Sequence, residues 1–218
     1  MARGGRPSLG SLVQRGAVLL ALIAQALWLT VRSSLAGRGP IPSHPDALAE
    51  RQWRFARRLV RVATRYRGAL IKLGQVASLR VDLLPERVTD ELARLQDRVA
   101  SHPFAEIVQQ LERELGSPLS DVFPDFTAEP LAAASLGQVH RARTSDGRDV
   151  AVKVLYPGIE RSVAVDLAMA KLALWLLDFV AITDLMQVHR QLRASILAEM
   201  DYVREGRAAE EIGRNLER

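Results

Sequence analysis

The segment that decides the fold reads PLAAASLGQVHRARTSDGRDVAVKVL and spans residues 130–155. Asp146-Gly147 lies between two runs of β-prone residues, which is a strong signal for a β-hairpin. Alternation along the second strand places the valines at 150, 152 and 154 on one face and Lys153 on the other. An unpaired ammonium on an apolar strand face is costly, so the pattern predicts an anionic partner for Lys153.

A turn of small residues followed by V-A-V-K on a strand is the layout of a protein-kinase small lobe, in which a glycine-rich loop covers the phosphates of ATP and the strand lysine contacts them. Here the turn reads AAASLG at 132–137, where a kinase has G-x-G-x-x-G. The β-carbons of the alanines obstruct close approach of the backbone to a phosphate. We therefore expect a nucleotide to bind in a different pose from that in ordinary kinases.

A kinase-like lobe also needs a helix that carries a glutamate for the strand lysine. Residues 195–211 fit a single helix with Glu199, Asp201 and Glu205. At about 100° per residue, Asp201 and Glu205 share one face, and Glu199 lies on another. We expect one face to reach Lys153 and the other to meet a second cation, for which Lys72 is the candidate.

Lys72 belongs to a helical stretch with the sequence K-L-G-Q at 72–75. Three-residue spacing places Lys72 beside Gln75 on one face. Gly74 costs about 1 kcal/mol relative to alanine inside a helix, so we expect a close neighbour at its backbone. An ordinary amphipathic helix with a snorkelling lysine and a packing glycine is the alternative interpretation. Residues 84–99 and 101–116 predict two further helices of structural character.

The N-terminal part is basic and contains an apolar run. Residues 1–68 carry twelve arginines and a net charge of +10, whereas residues 69–218 carry −5. The run at 17–31 has three interpretations: a secretory signal, a helix on or in a bilayer, or a buried helix of the fold. A second run at 163–182 is interrupted by Asp166, Lys171 and Asp178, so we expect a buried helix there and not a membrane span.

Composition excludes several classes of function. The chain has no cysteine, which rules out disulfide frameworks, thiolate catalysis and iron–sulfur clusters. The four histidines lie far apart, so the sequence predicts no metal site. A chain with 48% apolar and 25% charged residues is not mainly disordered. Arginine supplies all but three of the 30 basic residues, which makes the three lysines, at 72, 153 and 171, candidates for positions that need a compact ammonium.

The ordered set K-L-G-Q (72–75), A-A-A-S-L-G-Q-V (132–139), V-A-V-K-V (150–154) and E-M-D-Y (199–202) resembles the AarF/UbiB atypical kinase-like family, relatives of protein kinases tied to ubiquinone and other isoprenoid-lipid metabolism. By this resemblance, the K-x-G-Q motif falls on Lys72, Gly74 and Gln75, the alanine-rich loop on Ala132, Ala133, Ala134 and Ser135, the nucleotide lysine on Lys153, and the E-x-D motif on Glu199 and Asp201. The glutamate that pairs with the lysine falls on Glu205. The resemblance further implies that Lys72 faces Glu199 across an occluded cleft, which favours ATPase-like or small-molecule chemistry over protein phosphorylation.

The family also needs a second lobe with a catalytic Asp, a metal-binding Asn and a D-F-G-like Asp. Asp-Phe occurs at 125–126 and 178–179, in neither case before glycine. We therefore expect the front part of a family member, with an α+β fold: a protein-kinase-like small lobe of antiparallel sheet plus glutamate helix, a helical N-terminal extension, and no second lobe. The expected segments are a basic arm with an apolar helix (1–32), a linker (33–47), a helical extension with the K-x-G-Q motif (48–120) and the truncated lobe (121–218).

The function implied by the resemblance is that of an ATP-binding, atypical kinase-like or ATPase-type protein of ubiquinone biosynthesis. Lys153 and Glu205 would be the catalytic pair, and Mg²⁺ would be held mainly by residues outside this chain. Implied partners are a nucleotide, a membrane lipid or isoprenoid-quinone precursor, and other quinone-biosynthesis proteins, at a membrane and with the kinase-like part in the cytoplasm. The alternative is a non-catalytic membrane-associated interaction module. Nucleic-acid binding is not expected, because no helix-turn-helix, zinc finger or RNP-like run accompanies the arginines.

Overall fold

The computed structural model describes residues 7–36, 45–79, 84–96, 101–178 and 185–216, and these residues form the expected α+β fold. Helices precede and follow a small sheet. The helices are α1 (Leu9–Ala36), α2 (Pro45–Tyr66), α3 (Ala69–Ser78), α4 (Glu86–Ala93) with a 3₁₀ turn (Arg94–Gln96), α5 (Phe104–Leu115), α6 (Leu119–Val122), α7 (Ile159–Asp178), α8 (Leu185–Glu199) and α9 (Tyr202–Leu216). The strands are β1 (Asp125–Phe126), β2 (Ala132–Ala133), β3 (Gly137–Arg143) and β4 (Asp149–Leu155).

The sheet is antiparallel, with β3 at its centre. One edge of β3 pairs with β1 and β2 in succession, and the other edge pairs with β4 over its full length. The β3–β4 hairpin predicted from Asp146-Gly147 is present. Its register joins Arg143 to Asp149, and Gly147 adopts φ 86°, a conformation that a residue with a Cβ rarely takes.

The core of the lobe lies between the sheet and helices α3, α5, α7 and α8. Its buried side chains include Ile107, Leu136, Tyr156, Val163 and Ile196. A second cluster joins the N-terminal helices to α3 through Leu19, Ala63 and Leu70. The helical extension and the lobe therefore share α3, which contributes residues to both clusters.

Helix α1 packs on α7 and α2 with one face and leaves the other open. Leu19, Leu22 and Leu29 are buried, whereas Val13 and Trp28 are exposed. Among the described helices, α1 alone has a stretch, Leu9–Arg32, that is apolar and long enough to cross a membrane, although core helices and signal sequences meet the same criteria. The packed face matches the interpretation of residues 17–31 as a helix of the fold.

Several predicted boundaries are settled by the described residues. The single helix predicted over 195–211 is wrong: α8 ends at Glu199 and α9 begins at Tyr202. Asp201 stands at the break, where its Oδ1 accepts a hydrogen bond from the Arg204 N–H (3.0 Å) as an N-cap. Helices α1 and α2 extend into both ends of the predicted linker, and residues 37–44 between them lie outside the described residues. Residues 163–178 of the second apolar run belong to helix α7, which ends at Asp178, and residues 179–182 lie outside the described residues.

Candidate functional site

Lys153 and Glu205 are in contact, as the sequence predicts. The Lys153 ammonium donates to both carboxylate oxygens of Glu205, at 2.7 and 2.6 Å from the nitrogen. Both side chains are partly open to water, since Lys153 is 34% exposed and Glu205 is 54% exposed. A pair this open to water contributes about 0–1 kcal/mol, so it orients the ammonium but leaves it accessible to another anion.

The alanine-rich segment forms a tight hairpin beside this pair. Ala132 and Ala133 belong to β2 and pair with β3, and the turn proper is Ala134–Gly137, closed by a hydrogen bond from the Ala134 N–H to the Gly137 carbonyl (2.8 Å). Ser135 is buried, and its carbonyl accepts from the Gly68 N–H (3.2 Å). The helical extension thus holds the turn directly at the residue that precedes α3.

Gly137 is required by its surroundings. A Cβ at this position would lie 2.3 Å from the Val154 carbonyl oxygen and 2.5 Å from the Tyr202 hydroxyl oxygen. The turn therefore lies directly on β4, one residue from Lys153, and on the first residue of α9. Only a residue without a side chain permits this approach.

Tyr202 completes the surroundings of Lys153, and the sequence did not single it out. The Lys153 nitrogen lies 4.6 Å from the centroid of the Tyr202 ring, which is cation–π geometry worth about 0.5–1 kcal/mol at an exposed site. Burial raises the pKa of the Tyr202 phenol well above its ordinary value, and the nearby carboxylates of Glu205 and Glu199 raise it further. Its one sequence signal is its place directly after the E-M-D motif.

Lys72 and Glu199 form the second predicted pair, with 2.8 Å between the ammonium nitrogen and a carboxylate oxygen. Each side chain is close to 30% exposed. The pair joins α3 to the last residue of α8, two residues before the N-cap of α9. The two faces of the motif region therefore serve two different lysines, although a helix break separates them.

Gly74 and Gln75 hold the 3₁₀ turn after α4. A Cβ at Gly74 would lie 2.2 Å from a terminal carbon of Leu95, and the Gln75 side-chain amide donates to the Leu95 carbonyl (2.9 Å). The close neighbour expected at Gly74 is thus Leu95. Of the K-x-G-Q motif, Lys72 faces the site and the other two residues fix the helix that carries it.

A buried polar network that the sequence did not reveal supports the sheet from below. The backbone N–H of His102 donates to Oε1 of Gln138 (2.8 Å). The side-chain amide nitrogen of Gln138 therefore points to Nε2 of His140 (2.8 Å). Nδ1 of His140 then donates to the Thr127 carbonyl (2.8 Å). Tyr156 stacks on His102 of this network, with 4.1 Å between the ring centroids. The Tyr156 hydroxyl donates to the Ala134 carbonyl (3.0 Å). This network ties the underside of the turn to α5.

Metal ligands are not gathered in the part of the chain that the structure describes, where no three His, Asp or Glu side chains lie close enough to hold an ion. Two cavities of about 420 Å³ each are present, one near Arg67, His102 and Tyr156, the other between α7 and α8. Neither cavity includes Lys153. The candidate site is formed by Lys153, Glu205, Tyr202 and the turn, and Lys153 is partly exposed there.

Comparison with known proteins identifies proteins similar to this chain. The model of the ABC1 atypical kinase-like domain matches residues 94–218. A probable protein kinase UbiB from Pseudomonas fluorescens is 41% identical over 151 residues, which cover 67% of this chain and 28% of that protein. The chloroplastic protein ACTIVITY OF BC1 COMPLEX KINASE 7 of Arabidopsis thaliana is 37% identical over 148 residues, covering 66% of this chain and 21% of that protein.

A solved structure, that of Rv3197 of Mycobacterium tuberculosis in complex with erythromycin, aligns with a TM-score of 0.42 and 30% identity over 73% of this chain and 41% of that one. The chain spans about a quarter of the length of the curated relatives named above. The family model matches more than half of the chain, including the Lys153–Glu205 pair and the turn. The chain therefore belongs to the ABC1 atypical kinase-like family.

Proposed function

We propose that this chain contacts a nucleotide, with ATP as the ligand, as part of an atypical kinase- or ATPase-type protein of isoprenoid-quinone biosynthesis. The observation that carries the proposal is the Lys153 ammonium, oriented by both oxygens of Glu205 and set beside the Ala134–Gly137 turn. In kinase-like lobes this combination of lysine, glutamate and covering loop binds phosphates. The link to quinone biosynthesis comes from the family resemblance and the names of the relatives.

Each residue has a part in the proposed contact. Lys153 would neutralise charge on the phosphates, while Glu205 holds its ammonium in place. Because Lys153 is 34% exposed, a phosphate can reach it without a change in the core. The backbone of the turn would cover the nucleotide. Ala132 and Ala133 pair with β3 and so fix the position of the turn.

The pairing of Lys72 with Glu199 supports small-molecule chemistry over protein phosphorylation. It fastens α3 to α8 beside the Lys153 pair, on the side where the resemblance implies that a protein substrate would otherwise dock. A peptide segment needs more room than a small phosphate acceptor. Mg²⁺ would be held by the phosphates together with ligands other than the described residues.

Nucleotide-dependent thermal stabilisation tests the proposal. We expect Mg²⁺-ATP to raise the unfolding temperature of the chain and Lys153→Ala to abolish that rise. Lys171→Ala is the matched control, since Lys171 is an exposed residue of α7 that lines the cavity between α7 and α8 and is not part of the candidate site. Equal stabilisation of the chain and both variants would contradict the proposal. An ATPase assay on the same three proteins shows whether the chain also turns nucleotide over.

Membrane association is the second candidate function, and the open face of α1 favours it. Leu9, Val13, Leu20, Trp28 and Val31 are all exposed on this helix. Arg15 on the same helix is 5% exposed and paired with Asp166, and a transmembrane orientation would have to break that pair. We therefore propose that α1 lies along a bilayer surface with its open face toward the lipid. From the family resemblance, we propose the cytoplasmic side for the kinase-like part.

Flotation with vesicles of mixed neutral and anionic phospholipid tests this second candidate. We expect the chain to float with the vesicles, and Leu20→Glu together with Trp28→Glu to remain at the bottom. A matched control places one glutamate at Leu197, an exposed apolar residue on α8. Flotation of the double variant, or release of the chain by high salt alone, would contradict insertion of the apolar face.

A further inference from the structure

Tyr202 is the residue that attaches α9 to the lobe. Every residue of α9 (Tyr202–Leu216) is exposed except Tyr202, which is half-buried. The helix that carries Glu205 therefore has no packed face of its own. Among the described residues, the Lys153–Glu205 pair and Tyr202 connect it to the lobe beyond its junction with α8.

The ring and the hydroxyl of Tyr202 meet two different parts of the site. The ring lies under the Lys153 ammonium, 4.6 Å from its nitrogen. The hydroxyl oxygen lies beside Gly137, so close that a Cβ added to Gly137 would be 2.5 Å from it. One rigid side chain thus spans from the lysine to the turn.

The ion pair alone cannot fix this geometry. Both of its side chains are open to water, where surface pairs exchange readily with solvent and are weakened by salt. The Tyr202 ring is half-buried, so its attraction for the ammonium is less screened. Tyr156 donates to the Ala134 carbonyl at the start of the turn, and the Tyr202 hydroxyl lies beside Gly137 at its end.

We propose that Tyr202 is a positioning residue that holds the Lys153 ammonium and the Ala134–Gly137 turn at a fixed separation, so that a phosphate group meets a preset gap between them. The phosphate part of this inference rests on the proposed nucleotide role of Lys153. The contact of Tyr202 with Lys153 does not, which allows the two to be tested apart.

Lysine-selective NMR provides a readout that is independent of activity. The chain has three lysines, so labelling with lysine carrying ¹³C at Cε gives three side-chain signals. Loss of one signal in Lys153→Arg assigns it. We expect the Lys153 signal to be shifted upfield of the other two by the ring current of Tyr202.

Two variants of Tyr202 separate its ring from a general structural role. Tyr202→Phe retains the ring and should keep the upfield shift, whereas Tyr202→Leu should lose it. The Lys72 signal reports on the neighbouring pair with Glu199 and should stay in place in both variants, as a check on folding. An unshifted Lys153 signal in the unmodified chain, or an upfield shift that survives in Tyr202→Leu, would overturn the inference.

Titration with Mg²⁺-ATP on the same samples tests the positioning role. We expect the Lys153 signal to respond to nucleotide, with a Kd about fivefold weaker in Tyr202→Leu and within about twofold in Tyr202→Phe. Equal Kd values in all three proteins would overturn the positioning role and leave the proposed function standing. If the Lys153 signal does not change when nucleotide is added but is still shifted by the Tyr202 ring, the proposed function would be overturned and the contact between the two residues would stand.

Discussion

Arg15 of α1 and Asp166 of α7, 151 positions apart in the chain, form a buried ion pair in which two guanidinium nitrogens donate to the two carboxylate oxygens. Their side chains are 5% and 0% exposed. Arg15 also donates to the carbonyls of Tyr66 and Arg67 at the end of α2 (2.8 and 2.9 Å). Burial raises the pKa of Asp166 above its ordinary value, while the hydrogen bond and charge of Arg15 and the N–H groups at the start of α3 oppose the rise. The pair joins three helices of the extension to the lobe.

Removal of one partner of this pair should be strongly destabilising. We expect Arg15→Met to lower the free energy of unfolding by about 3–5 kcal/mol, because Asp166 would remain buried without its partner. The double variant Arg15→Met/Asp166→Leu should recover much of this loss. Urea denaturation measures both.

Arg32→Met is the control for the first prediction. Arg32 stacks on Trp28, 5.2 Å from the ring centroid, on the exposed side of the same helix. Its loss should cost less than about 1 kcal/mol. If Arg15→Met proved as mild as Arg32→Met, the ion pair would not be the connection described above.

Gly137→Ala should destabilise the lobe, because the added Cβ would collide with the carbonyl oxygen of Val154, a backbone atom that cannot move without disturbing β4. We expect a loss of about 1–3 kcal/mol. Gly206→Ala is the matched control: nothing lies within 4 Å of its Cβ position inside α9, so alanine should stabilise by up to about 1 kcal/mol. Thermal unfolding of the two variants should show shifts of opposite sign, and shifts of the same sign would refute the steric argument.

The stability of the fold should fall in mild acid because of His102. Burial lowers the pKa of His102 below 6.5, and the charge of Arg67 lowers it further, against the opposing effect of Glu106. The unfolded chain then binds more protons than the folded one between the lowered pKa and 6.5, so the free energy of unfolding decreases as pH falls through that window. The slope is at most about 1.4 kcal/mol per pH unit.

His102→Phe isolates this contribution, since phenylalanine keeps the stacking on Tyr156 but cannot take up a proton. The other histidines contribute equally to both proteins. We expect denaturant titrations between pH 5 and pH 7.5 to show a shallower dependence in the variant. Identical pH dependences would mean that His102 keeps its ordinary pKa in the folded chain.

The Lys72–Glu199 pair should show a modest, salt-sensitive coupling. In a double-mutant cycle with Lys72→Met and Glu199→Gln, we expect an interaction of about 0.5–1 kcal/mol, because both side chains are nearly a third exposed. The coupling should decrease at high ionic strength. A coupling near zero at low salt would show that α3 and α8 are not joined at this point.

The features that the sequence determined by itself are local. The Asp146-Gly147 hairpin, the strand that presents Lys153 and the end of α5 at Gly116 follow from turn chemistry and from the period of the apolar residues. The order of the four motifs was enough to indicate the family and to pair Lys153 with Glu205. These inferences needed only neighbours within a few residues, or the order of motifs along the chain.

Only the tertiary structure decided which groups from distant elements meet. Asp166 interrupts one apolar run and Arg15 precedes the other, and nothing in the sequence indicates that they neutralise each other. The tertiary structure also decided the helix break at Asp201 and the position of Tyr202 beneath Lys153. A capping hydrogen bond and an aromatic contact there outweigh the propensity of the segment to continue as one helix. Propensity acts along the chain with fractions of a kcal/mol per residue, whereas packing and burial act through space and set where each charge must find its partner.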